Sequence, residues 1–127
     1  MQATQSGPKP GESSFLWLIK ILTGLLIIVI LIIHFLVNHF FAPEGLLSFN
    51  EVLSYYRNYP IVPIMEGFFL VFLIAHSLIG LRSIFLDLNL GKSTRQVIDV
   101  VLLVVGVVSI VYGIWLIGAI LAHAPAA

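Results

Sequence analysis

Three long apolar stretches dominate this chain of 127 residues. They cover residues 16–41, 61–86 and 97–122, and each exceeds the roughly 20 residues that an α-helix needs to cross the hydrocarbon core of a bilayer. Because 60% of all residues are hydrophobic and only 9% are charged, the chain does not have the composition of a soluble domain. The pattern predicts an all-α membrane protein with three transmembrane helices.

The polar residues exclude several classes of function. The net charge is zero and no basic run occurs, so the clustered cations that bind nucleic-acid phosphates are missing. The sequence contains no cysteine, which excludes disulfides, thiolate zinc sites and iron–sulfur ligation by this chain. Any metal must therefore be held by histidine or carboxylate.

The two ends of the chain differ from its apolar centre. Residues 1–14 predict a disordered polar tail, residues 15–122 a single membrane domain, and residues 123–127 a short C-terminal tail. Five Lys or Arg residues flank one side of the predicted helices and one lies in the first connection, which predicts a cytoplasmic N-terminus. The first apolar stretch is too long for a signal peptide, and no transit peptide precedes it. We expect a multi-pass protein of the inner (cytoplasmic) membrane.

The connection between the first two stretches contains an amphipathic segment. Its apolar residues recur at helical spacing; they are Phe49, Val52, Leu53 and Tyr56. This pattern predicts a short helix that lies in the membrane interface. An irregular loop with tyrosines at headgroup depth is the alternative interpretation.

The most informative polar residues are four that we expect at depth within the apolar stretches, where lipid makes them costly. They are His34, Glu66, His76 and Arg82. A buried histidine can simply hydrogen-bond a neighbouring carbonyl, but two at depth on adjacent helices indicate ligation, since imidazole is the usual axial ligand of haem iron. At about 1.5 Å per residue, His34 and His76 differ in depth by about 12 Å, which is too far for one iron. Each histidine therefore needs a partner from elsewhere, and a second membrane subunit is expected.

Two further residues stand near His76 on the same predicted helix. Gly80 lies one turn from His76, where the missing side chain lets a porphyrin or a helix approach closely. Arg82 lies nearer the membrane boundary, where it either pairs with haem propionates or extends to the interface.

The spacing of His76, Gly80, Arg82 and Asp87 resembles the end of the second membrane helix in the cytochrome b anchors of succinate dehydrogenase and fumarate reductase. The opening segment 20–24, Lys-Ile-Leu-Thr-Gly, is similar to the basic, hydroxyl and glycine opening of that family. The resemblance covers most of residues 15–96. The third predicted helix is similar to the family in its general apolar character but not in particular residues.

The resemblance implies a haem b that His76 binds as axial ligand, with Arg82 near its propionates and Gly80 beside it. Family members with two haems carry another histidine near the far end of the first helix, where His34 stands here. His39 is the competing candidate and lies nearer the headgroups. One or two haems would be shared with a partner subunit.

The same resemblance implies a site for a membrane quinone, menaquinone or ubiquinone. The single-haem branch of the family places a serine and an arginine on the opening segment, where Thr23 and Lys20 stand here. Glu66 is a third candidate, because a carboxylate there could exchange protons with a quinone. The alternative for Glu66 is that it faces water near the boundary.

The function that the resemblance implies is that of a membrane anchor subunit of succinate:quinone oxidoreductase, with no catalytic activity of its own. Its partners would be a flavoprotein subunit, an iron–sulfur subunit, a second small membrane anchor and the lipid bilayer, but no nucleic acid. Two alternatives stay open. One is the cytochrome b anchor of another respiratory oxidoreductase, such as a hydrogenase or formate dehydrogenase. The other is a haem-free structural membrane scaffold.

Overall fold

Four α-helices form the described part of the chain in a computed structural model, which covers residues 7–40 and 47–123 without the side chains of 37–39. The helices are α1 (Ser14–Phe40), α2 (Phe49–Asn58), α3 (Ile61–Asp87) and α4 (Lys92–His123). Three of them, α1, α3 and α4, are long and apolar enough to cross a membrane. The predicted all-α architecture with three membrane helices and a short helix between the first two is therefore confirmed.

One boundary differs from the prediction. The last helix begins at Lys92, five residues before the apolar stretch that predicted it. Residues 92–96 are polar, so hydropathy does not detect them, yet they contain no helix breaker and follow Gly91. The amide of Arg95 already donates to the Gly91 carbonyl at 3.0 Å. The first turn of α4 is therefore a polar extension of a membrane helix.

The central helix is α3, which packs against α1 on one side and α4 on the other. No helix contact joins α1 to α4 among the described residues. The neighbours run antiparallel: Gly24 of α1 contacts His76 of α3, while Lys20, one turn earlier, contacts Ser83 later in α3. The three membrane helices therefore form an open arrangement. α1 begins and α3 ends at the same end of the molecule, which we call the N-terminal end.

Two glycines of α4 allow close packing against α3. A Cβ atom added at Gly106 would lie 2.8 Å from Leu78 Cδ1, and one added at Gly113 would overlap Leu70. Small residues at such contacts let helices approach in a membrane, where lipid tails remove the hydrophobic drive for association. The α3–α4 contact is therefore built on van der Waals packing.

Few side chains are buried in the described part of the chain. The buried apolar residues are Ile27, Leu53 and Tyr56, whereas large apolar side chains stay exposed along all three membrane helices. A membrane protein presents such side chains to lipid or to a partner subunit. The chain therefore has very little core of its own.

The short helix α2 lies against α3 and α4 at the end of the molecule opposite the N-terminal end. It buries Leu53 and Tyr56, whereas Phe49, which the sequence placed on the same apolar face, is exposed at the start of the helix. Its start is a capping box: the Ser48 hydroxyl accepts from the Glu51 amide, and the Glu51 carboxylate accepts from the Ser48 amide. These bonds lower the pKa of Glu51 below its usual value. The helical interpretation of this connection is confirmed, and its depth in the interface stays a prediction.

The polar N-terminal segment folds back onto the ends of α1 and α3, which differs from the expected disordered tail. Glu12 is buried, and its carboxylate accepts hydrogen bonds from Lys20 Nζ at 2.5 Å and Ser83 Oγ at 2.6 Å. Lys9 forms an ion pair with Asp87. Composition does not predict this contact, because polar and charged groups rather than apolar side chains attach the segment. The first six residues lie outside the described part.

Replacing Glu12 with glutamine is expected to destabilise the protein by about 2 kcal/mol at neutral pH, because Lys20 loses its anionic partner. Burial raises the pKa of Glu12, but the hydrogen bonds from Lys20 and Ser83 outweigh it and hold the pKa at about 2, against an ordinary value of 4.5. The stabilisation is therefore complete above the unfolded pKa and is lost as the pH falls through the folded one.

Thermal unfolding in detergent checks this prediction for wild type and Glu12→Gln. The difference between their midpoints should be constant from about pH 7 to about pH 5 and should shrink at lower pH. Equal midpoints at neutral pH would show that the fold-back contributes nothing to stability.

Candidate functional site

His76 lies in the middle of α3 and faces α1. Its Nδ1 atom lies 3.0 Å from the backbone carbonyl oxygen of Lys20, a normal distance for a hydrogen bond. Gly24 leaves room for the ring: a Cβ atom there would lie 2.9 Å from Cε1, 3.2 Å from Nδ1 and 3.8 Å from Nε2 of His76. The ring therefore turns its Nδ1–Cε1 edge toward α1.

The contact with Lys20 determines which nitrogen of His76 is available to a ligand. A neutral imidazole carries one proton, and a carbonyl can only accept, so Nδ1 is the protonated nitrogen and Nε2 keeps its lone pair. Histidines that bind metals usually donate their other N–H to a carbonyl or carboxylate in this way. The half-buried position of His76 in α3 and its free Nε2 fit axial ligation of a haem iron.

Arg82 and His76 face different neighbours. The Arg82 guanidinium donates two hydrogen bonds to the Asp99 carboxylate of α4, at 2.6 and 3.1 Å. Six residues at 3.6 residues per turn place Arg82 about 120° around α3 from His76. A Cβ atom added at Gly80 would meet nothing within 4 Å, so α3 has open space one turn after His76. The predicted role of Gly80 beside a macrocycle stays a prediction.

The two quinone candidates on α1 are both engaged within the protein. The Lys20 ammonium donates to Glu12 and, at 2.8 Å, to the Ser83 hydroxyl. Thr23 is buried, and its hydroxyl donates to the Ile19 carbonyl at 2.7 Å. A quinone that used either group would therefore have to replace an existing hydrogen bond.

His34 and Glu66 line a common cavity near α2. The cavity has a volume of about 450 Å³ and is bounded by α1, α3, α4 and the side chain of Tyr56. The rest of its lining is apolar. His34 stands ten residues after Gly24 on α1, about 15 Å further along the helix axis. Because Gly24 contacts His76, the two histidines lie at different levels of the protein, as the sequence predicted.

A second cavity, of about 460 Å³, lies between α3 and α4 and extends to Leu16 of α1. Its polar groups are the ion-paired side chains of Arg82 and Asp99, and its remaining lining is apolar or glycine. Arg82 therefore belongs to a groove on the α4 side of α3, whereas the His76 ring belongs to the contact between α1 and α3.

Three polar residues of this region escaped the sequence analysis as site residues: Glu12, Ser83 and Asp99. Asp99 carried the best signal, because it is the single charge within the third apolar stretch and Arg82 stands near the matching end of the second. A lone anion and a lone cation on consecutive membrane helices predict an ion pair. Glu12 and Ser83 carried no such signal.

No group of three or more His, Asp or Glu side chains that could hold a metal ion occurs within residues 7–40 and 47–123. A haem makes a smaller demand on the protein, because its macrocycle supplies the equatorial nitrogens and side chains supply only the axial ligands. A single well-oriented histidine such as His76 therefore suits a haem better than a bare metal ion.

Fold and site define a multi-pass membrane protein that carries histidines at two levels of its helices. Comparison with known proteins makes this class specific. The chain belongs to the family of succinate dehydrogenase/fumarate reductase transmembrane subunits, whose family model matches residues 4–125. It is also similar to the succinate dehydrogenase hydrophobic membrane anchor subunit of Archaeoglobus fulgidus, with 28% identity over 107 residues, 82% of this chain and 87% of that protein. No solved structure matches the chain. The predicted family is thereby confirmed.

Proposed function

We propose that this chain anchors a succinate:quinone oxidoreductase in the membrane, binds haem b, and helps to form the site at which electrons from succinate oxidation reduce quinone. The observation that carries the haem assignment is the half-buried His76, whose Nδ1 is held by the Lys20 carbonyl while Nε2 is left for a ligand. Family membership supports the assignment to the enzyme complex. It also favours this complex over a hydrogenase or formate dehydrogenase.

His76 would hold the haem iron through Nε2. A bound haem would supply a one-electron carrier inside the membrane. The open surface at Gly80 would let the macrocycle lie close to α3. Arg82 would reach a haem propionate only by sharing its guanidinium with Asp99 or by breaking that ion pair. Asp99 therefore competes with the propionate for Arg82.

The cavity near α2 supports a second set of roles. His34 would be the axial ligand of a second haem at that level, separate from the level of His76. Glu66 lines the same cavity and would exchange protons with a quinone bound there. A haem and a quinone would compete for this one volume of about 450 Å³. The effects of removing His34 and of removing Glu66 on haem content and on quinone reduction would tell the two roles apart.

The second quinone candidate is Lys20, at the N-terminal end of the molecule. Its ammonium group already donates to two oxygens, and a quinone carbonyl would replace one of them. The Thr23 hydroxyl donates within its own helix, so a quinone would have to replace that hydrogen bond. The quinone itself would be menaquinone or ubiquinone.

The partners follow from the number of ligands. Among the described side chains, this chain offers one histidine at each level, so a second small membrane anchor would supply a further ligand to each haem iron. Flavoprotein and iron–sulfur subunits would dock at the N-terminal end, and the distribution of Lys and Arg supports a cytoplasmic location for this end. The complex would thus lie in the cytoplasmic membrane, with the start of α1 on the cytoplasmic side and its end on the opposite side.

The test of this function is a dithionite-reduced minus oxidised spectrum of the purified complex, together with haem per flavin and succinate-driven quinone reduction. We expect a haem b spectrum, one or two haems per flavin, and quinone reduction. A complex that reduces quinone without haem b would contradict the haem assignment and leave a haem-free anchor.

A further inference from the structure

We propose that Thr23 and Gly24 act together as positioning residues for His76, one by directing the Lys20 carbonyl and the other by making room for the imidazole. The inference rests on the proposed haem ligation by His76. It gives Thr23 a role that acts through the histidine rather than through contact with a quinone.

Gly24 is the position on α1 that admits the ring of His76. A Cβ atom there would lie 2.9 Å from Cε1 and 3.2 Å from Nδ1, closer than ordinary van der Waals contact. The imidazole is a rigid ring attached through two rotatable bonds, so it can relieve this contact only by rotating or by moving α3 away from α1. Either change would displace Nδ1 from the Lys20 carbonyl.

Thr23 acts on the same carbonyl from within α1. Its hydroxyl lies 2.7 Å from the Ile19 carbonyl oxygen and 3.2 Å from the Lys20 carbonyl oxygen. The hydroxyl has one proton, and the shorter distance gives it to Ile19, so both lone pairs of the Lys20 carbonyl stay available: one for the amide four residues later and one for the His76 ring. A threonine hydroxyl that bonds back to the preceding turn often bends a helix, and such a bend would turn the Lys20 carbonyl toward His76.

The hydrogen bond from Nδ1 has two consequences for a ligand bound at Nε2. It fixes the tautomer and the plane of the ring, and it increases the basicity of the ligating nitrogen. Loss of such an outer partner typically weakens metal binding by about 10–100-fold. Thr23 and Gly24 therefore control a property of the haem site through His76, without binding the iron themselves.

The experiment compares Thr23→Val, Thr23→Ser and Gly24→Ala in the intact, purified complex. Three quantities are measured: haem per flavin, the g-values of the oxidised haem by electron paramagnetic resonance, and its midpoint potential. We expect Thr23→Val and Gly24→Ala to lower haem retention during purification and to shift both the g-values and the potential. Thr23→Ser keeps the hydroxyl and should restore the wild-type values.

Two further glycines provide matched controls. Gly67 has nothing within 4 Å of an added Cβ, so Gly67→Ala should leave all three quantities unchanged. Gly106→Ala disturbs the packing of α4 on α3 without contacting His76. It should lower the yield of complex at most, while the haem that remains keeps its wild-type g-values.

The proposal is overturned if Thr23→Val and Gly24→Ala both retain wild-type haem content, g-values and potential, or if Gly106→Ala shifts the g-values as Gly24→Ala does. If Gly24→Ala does not assemble, the pair Thr23→Val and Thr23→Ser decides, because valine matches threonine in shape. Full haem content in His76→Ala would instead refute the ligand role itself, which separates the failure of the proposed function from the failure of this inference.

Discussion

Replacing His76 with alanine is expected to lower the occupancy of the haem at its level by about tenfold or more, because it removes the proposed ligand, for which the described residues offer no substitute at that level. A complex with one haem would then lose nearly all its haem b, and a complex with two haems would lose about half. The nearest histidine described on α1, His34, lies about 15 Å further along the axis. The measurement is the reduced minus oxidised spectrum, normalised to flavin so that loss of assembly is not mistaken for loss of haem.

Two other histidines complete this experiment. His123 is exposed at the end of α4, and its Nδ1 contacts the Ala119 carbonyl of its own helix at 2.7 Å, so His123→Ala should retain all haem. His34→Ala should remove the second haem of a two-haem complex and leave the first. Retention of full haem in His76→Ala would exclude His76 as the ligand.

The second large effect is expected from Asp99→Leu, which leaves Arg82 without its anion between two membrane helices. An unpaired arginine costs about 3 kcal/mol at the centre of a membrane helix and less toward the end of the helix, where Arg82 lies. We therefore expect a marked loss of assembled complex, measured as flavin retained in solubilised membranes. The double variant Arg82→Leu with Asp99→Leu should recover most of this loss, because it removes both charges.

The double variant also tests the proposed contact of Arg82 with a haem propionate. If the guanidinium serves only Asp99, the recovered complex should have wild-type haem content and midpoint potential. If Arg82 also binds a propionate, assembly recovers but the potential changes. Wild-type assembly of Asp99→Leu alone would contradict the importance of the ion pair.

Hydropathy and helical periodicity were sufficient to predict the membrane helices and α2. A charge or break within a membrane helix is costly, so the three spans are visible as uninterrupted apolar stretches. The helical spacing of Phe49, Leu53 and Tyr56 predicted α2, although only Leu53 and Tyr56 are buried. The polar first turn of α4 was missed for the converse reason: helix formation there depends on propensity and not on hydropathy.

The orientation of individual side chains could not be predicted in this way. The sequence indicated that His76 and Arg82 share α3, but the neighbour that each contacts depends on how α1 and α4 dock around α3. The contact of Glu12 with Ser83 depends on the same packing, because Lys20 and Ser83 come together only when α1 and α3 are adjacent. Sequence spacing along one helix contains no information about such contacts between helices.

The cations of α1 and α3 find their anions at different distances along the chain. Lys20 pairs with Glu12, eight residues earlier, whereas Arg82 pairs with Asp99, 17 residues later and on the next helix. During biosynthesis α1 can therefore leave the translocation machinery with its charge already neutralised, while α3 carries an unpaired guanidinium until α4 has been made. The membrane domain would then be inserted in two stages, first α1 alone and then α3 and α4 as a helical hairpin.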